Sequence, residues 1–63
     1  MDFEITPDII KKLRMKLGLS QQEFSEKIGA TLASVSRWEL AKARPQKVFK
    51  KILSELLKKN NLL

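Results

Sequence analysis

The 63-residue chain contains no cysteine and no histidine. The first absence rules out disulfides, and the two together rule out Cys/His zinc sites. Without histidine, the side chain that ordinarily titrates near neutral pH is missing too. No run approaches the roughly 18 apolar residues of a membrane span, and the acidic start MDFE is unlike a secretory leader. We therefore expect a cytoplasmic protein with no metal, no cofactor and no membrane partner. Carboxylates and lysines are present, but no constellation of nucleophile, base and pocket, so no enzyme is expected. Strand-like alternation of apolar and polar residues is also missing, which leaves helix as the regular element.

What is present begins with charge. The net charge is +6, and all of the excess lies in the second half of the chain. Residues 1–30 carry five basic and five acidic side chains, whereas residues 31–63 carry eight basic and two acidic. A polyanionic partner on one side of the molecule would account for the asymmetry, and so would a solubilising lysine face. A chain this short makes one small domain, near the lower limit for folding without staples.

Local signals then divide the chain into helices. Thr6-Pro7-Asp8 reads as a start, with Thr6 as N-cap, Pro7 at the first helical position and Asp8 against the positive dipole end. Ile9, Ile10, Leu13 and Leu17 form one apolar stripe that ends at Gly18, so a first helix is expected over about 7–17. Phe3 and Ile5, just upstream, can cover it. Ser20-Gln21-Gln22-Glu23 is a capping box, and Leu19 and Phe24 occupy the positions of a hydrophobic staple. Phe24 and Ile28 face inward, small Ser25 leaves room for a neighbour, and Gly29 ends this helix at about 21–28.

Only Ala30 and Thr31 intervene before the pattern resumes, with Thr31 as N-cap and Val35 and Trp38 three apart on one face. Two helices of about eight residues joined by so tight a turn must cross steeply. After the basic link LAKARP, a last helix over about 46–59 places Val48, Phe49, Ile52, Leu53, Leu56 and Leu57 on one side and lysines on the other. It should fray near Asn60-Asn61, leaving Leu62 and Leu63 as a loose apolar tail.

The segment GLSQQEFSEKIG, followed by Val35 and by Ser36-Arg37-Trp38-Glu39, resembles the helix-turn-helix of the phage-repressor and Cro-like (XRE-type) family of bacterial and phage regulators. The resemblance runs from about Ile10 through Pro45. It implies an all-α fold, a compact four- to five-helix lambda-repressor-like helix-turn-helix domain. It also implies sequence-specific binding of double-stranded DNA as a transcriptional regulator, a repressor, with residues 32–40 in the major groove. The partners it implies are double-stranded DNA and a second copy of the chain, and it places the protein with the nucleoid.

A helical wheel at about 100° per residue gives the residues their directions. Val35 and Trp38 define the inward face, Ala33, Ser36, Arg37 and Leu40 point away, and Leu32 and Ser34 lie on the flanks. The base-contact candidates are Ser36 and Arg37 on the outward face, with Leu32 and Ala33, which the resemblance puts at positions that family members use for base contacts. Arginine can bond guanine O6 and N7 as a fork, and apolar side chains can pack on thymine methyls. Leu32 has a second reading, as a core residue closing against the preceding helix. The resemblance puts Gln21 on the DNA backbone, and with it Ser34, Lys42 and Arg44 are the phosphate candidates. It also pairs Arg14 with Glu39 to tie the first helix to the end of the third.

Family members usually carry glycine where Ala41 stands. Alanine there either adopts a left-handed conformation at a cost of about 1 kcal/mol or lets the third helix run on. A function from another class stays open at this point, a protein-interaction module such as an antitoxin or adaptor. Its motivation is the surplus apolar surface of Leu40, Leu62 and Leu63. A membrane-surface role for the basic last helix is disfavoured, because its apolar face is needed to complete so small a core.

Overall fold

Three helix starts are fixed by a hydroxyl that turns back onto its own first turn. Thr6 Oγ1 accepts from the Ile9 N–H at 3.2 Å, Ser20 Oγ from Glu23 at 3.1 Å and Thr31 Oγ1 from Ser34 at 3.1 Å. The capping box is complete, since the Ser20 N–H donates to Glu23 Oε1 at 2.8 Å. The computed structural model describes residues 5–62, with four helices: α1 (Pro7–Lys16), α2 (Gln21–Ile28), α3 (Leu32–Glu39) and α4 (Lys47–Lys59). Leu17, Leu40 and Gln46 are the capping residues at the flanks of these helices. No strand occurs among the described residues, so the fold is all-α. Phe3 and Leu63 lie outside them.

Each helix gives two side chains to one core: Ile10 and Leu13, Phe24 and Ile28, Val35 and Trp38, Leu53 and Leu57. Burying each of these contributes about 1.5–3 kcal/mol, most of which the lost chain entropy offsets. Ser25 is buried among them, and its hydroxyl donates to the Gln22 carbonyl of its own helix at 2.7 Å. It therefore adds no unsatisfied polar group where α3 passes close by.

Helix endings set the angles between elements. Gly29, at φ 79°, stops α2 and begins the short turn into α3, and the Ala30 N–H caps Ser25 O at 2.8 Å. At the end of α3 the same device is built on alanine. Ala41 is left-handed at φ 62°, with Ala41 N–H bonded to Trp38 O at 3.2 Å and Lys42 N–H to Arg37 O at 2.9 Å. This is a Schellman motif, and it decides between the two readings of Ala41: α3 stops. Ala41→Gly should relieve the left-handed strain, partly offset by the greater freedom glycine has when unfolded, for a net gain of about 0.5–1 kcal/mol. Urea titration should show a higher midpoint at unchanged slope.

Two expectations about α4 need correction. Val48 is 58% exposed, because it lies in the first turn, roughly 100° from the centre of the buried stripe. Leu62 is no loose tail. Asn61 turns left-handed at φ 57°, the Leu62 N–H bonds Leu57 O at 2.9 Å, and the Leu62 side chain packs against the core. Lys16 Nζ donates to the Asn60 carbonyl at 2.6 Å and holds this end of α4 to α1. The surplus apolar surface is accordingly smaller than the sequence suggests. No helix among the described residues is long and apolar enough to cross a membrane.

Candidate nucleic-acid interface

Helix α3 has one face in the core and one in solvent. Val35 and Trp38 are buried, and the Trp38 ring meets Phe49 of α4 at 5.4 Å in a tilted arrangement. That aromatic contact fixes the rotation of α3 about its axis and so decides which residues face outward. Ala33 and Arg37 are exposed, Ser36 is partly buried, and Leu32 is 45% exposed, which excludes the core reading of Leu32. Eight residues make a rod about 12 Å long, comparable to the width of a DNA major groove.

Three of the phosphate candidates lie at the ends of α3, Ser34 in its first turn and Lys42 and Arg44 just after its last. The Thr31 hydroxyl donates to Ser34 Oγ at 2.9 Å, leaving the Ser34 proton free to bond an acceptor. Lys42 and Arg44 are exposed on the link between α3 and α4. A cleft of about 360 Å³ opens between that link and the first turns of α3, over Trp38 and Phe49. Ser34, Arg37 and Arg44 all line it, so the structure brings one base candidate and two phosphate candidates to the same opening. Leu32, Ala33, Ser36, Lys42 and Gln21 do not line that cleft.

A second cluster joins three helices at one carboxylate. Arg14 Nε donates to Glu39 Oε2 at 2.7 Å and Arg14 Nη2 to Oε1 at 3.0 Å, a two-pronged ion pair between α1 and α3. The Glu39 side chain is 5% exposed and that of Arg14 15%. Gln21 Nε2 also donates to Glu39 Oε1, at 3.2 Å, and Arg14 Nη1 donates to the Leu19 carbonyl at 3.0 Å. Burial alone would push the Glu39 carboxyl up. Hydrogen bonds from Arg14 and Gln21, with the charges of Arg14 and Lys11, outweigh it and hold the group below the usual carboxylate range. The Glu39 hydrogen bond raises the Arg14 guanidinium in turn.

The bonds from Gln21 to Glu39 and from Arg14 to Leu19 carry no sequence signal, because no local spacing announces a contact between partners 18 residues apart or a bond to a carbonyl. Among the described residues, no group of three or more acidic side chains could hold a metal ion. The family described as "Helix-turn-helix" matches residues 10–60 of the chain. No curated protein and no solved structure matches it significantly.

Proposed function

The chain belongs to the XRE-type helix-turn-helix family, whose members are DNA-binding regulators, and on that premise we propose that it binds double-stranded DNA sequence-specifically as a transcriptional repressor. Helix α3 enters the major groove, with Leu32, Ala33, Ser36 and Arg37 toward base edges and Gln21, Ser34, Lys42 and Arg44 on phosphates. One observation carries this reading: α3 buries Val35 and Trp38 while holding Ala33 and Arg37 outward on the same rigid rod. Apolar groups in the first turn favour sites with thymine methyls, and Arg37 favours a guanine beside them.

One copy reads a single half-site, so two copies on half-sites about one helical turn apart add their energies. A homodimer assembled on DNA is the expected complex, with the link or α4 as its interface. Sedimentation of the complex checks this, and one copy per site would contradict it. Selection from random duplexes at two salt concentrations tests the reading as a whole. It should return a symmetric motif whose affinity falls steeply with salt, and recovery of no motif at either salt would defeat it.

Lys42 and Arg37 should separate in such assays. Lys42→Ala should weaken binding to every duplex alike and flatten the slope of log affinity against log salt by about one unit. Filter binding on specific and random duplexes over a salt series measures both. A loss confined to the selected sequence would move Lys42 from phosphates to bases.

A further inference from the structure

Glu39 does more than its partnership with Arg14 requires. Its Oε1 is shared between Arg14 Nη2 and Gln21 Nε2, so the carboxylate that locks α1 to α3 also touches the first residue of α2. We propose that Glu39 is a positioning residue for DNA binding: it holds the Gln21 amide with its N–H side presented, so that Gln21 offers a donor to a backbone phosphate. The proposal rests on the reading of Gln21 as a phosphate contact and adds what makes that contact productive.

The two ends of a glutamine amide are nearly the same shape and opposite in chemistry. One carries two N–H donors and the other a carbonyl oxygen. A phosphate only accepts, so the wrong end would bring two lone-pair-bearing oxygens together. An unrestrained glutamine at a helix start would sample both ends and would lose rotamer freedom on binding. Glu39 removes the ambiguity because an ionised carboxylate is acceptor-only. The amide can meet it only through nitrogen, which leaves the second proton of the same nitrogen for another acceptor.

The carboxylate can act as a template because it is itself immobile. It is nearly buried, and Arg14 grips both its oxygens. The third nitrogen of that guanidinium holds the Leu19 carbonyl at 3.0 Å, so the backbone leading into α2 is fixed by the same group. Gln21 remains partly exposed, which leaves it able to reach a ligand. Lys11 lies near enough for its charge to favour the ionised carboxylate as well.

The substitution Glu39→Gln tests this sharply. Arg14 is donor-only, so the introduced carbonyl should follow the shortest contact, to Arg14 Nε, and turn its own NH₂ toward Gln21. Gln21 would then meet it through its carbonyl oxygen, so a lone pair would stand at the shared contact where the spare N–H stood. Duplex affinity is measured for the parent, Gln21→Ala, Glu39→Gln and the double variant, each shown to be folded by thermal melting at the assay temperature. In the parent background, Gln21→Ala should weaken binding about tenfold on specific and random duplexes alike, the worth of one hydrogen bond to a charged group. In the Glu39→Gln background the same change should matter less than about twofold, because the contact is already lost.

Equal weakening by Gln21→Ala in both backgrounds would overturn the role of Glu39 and leave the phosphate contact standing. No weakening in either background would overturn both. If Glu39→Gln does not fold, nuclear relaxation of the Gln21 side-chain nitrogen in the unaltered protein decides. Order well above that of exposed Gln46 supports the proposal, and equal mobility of the two overturns it.

Discussion

Replacing Glu39 by alanine should cost about 3 kcal/mol of stability, toward the low end of what breaking a buried ion pair from one side costs. The loss comes chiefly from what is left behind. Arg14, 15% exposed, would keep its charge with no carboxylate to meet it, and Gln21 would lose an acceptor. The small remaining exposure of Arg14 lets water recover part of the penalty, which keeps the figure from the top of the range. For a domain of this size the total stability is only about 3–9 kcal/mol, so the variant should lose about a third of it or more. Urea titration measures it, and a variant within about 1 kcal/mol of the parent would reduce the pair to an ordinary surface bridge.

The same carboxylate gives the fold an acid limit whose sign is fixed. The Glu39 group is held below its ordinary value in the folded state, so its stabilisation is present above the unfolded value, about 4.3, and is lost as pH falls through the folded one. Glu23 is lowered too, by hydrogen bonds from the Ser20 backbone and then its side chain, and it acts in the same direction. Thermal melting of the parent should therefore drop on acidification below about pH 4. Glu39→Gln should flatten that drop without abolishing it, since Glu23 remains. An equally steep drop in the variant would assign the acid limit to other groups.

The second large effect concerns recognition. Arg37→Ala should cost about 1–3 kcal/mol on the best selected duplex and relax the preference at one base pair, while random duplexes change far less. The asymmetry follows from geometry. Arg37 stands on the open face of α3, one residue before the buried Trp38 that holds the helix down, so its position is set by the core and its reach is outward. A fork to guanine is lost only where guanine is present, whereas a phosphate contact is lost on every sequence. Equal losses on specific and random DNA would place Arg37 on the backbone instead. Lysine in its place should recover charge but little selectivity, because a point charge lacks the planar fork.

Much of the fold could be read locally because its boundaries are local events. Thr6, Ser20 and Thr31 each bond an N–H three residues on, and Gly29 takes the conformation that side chains avoid, so four or five neighbouring letters suffice to mark each end. The inward pairs of α2 and α3 were likewise visible as spacing, since residues three or four apart share a helix face. Val48 shows where spacing stops being enough. It belongs to the apolar stripe by period, yet α4 meets the rest of the molecule over Phe49, Leu53 and Leu57 and leaves Val48 on the uncovered side of its first turn.

The letters alone marked where the first three helices start, where α2 stops, and the inward pairs Phe24 and Ile28, Val35 and Trp38. The letters left Ala41 able either to end α3 or to extend it. The backbone could have done either, and the Schellman bonds at Lys42 and Ala41 favour stopping. Only the tertiary structure placed Leu62 on the core and gathered Arg14, Gln21 and Glu39 around one carboxylate. Leu62 and the carboxylate cluster share one cause. Caps and periods are short-range and repeat from one helix to the next, whereas a meeting of residues 18 or 25 apart depends on how every intervening turn is packed.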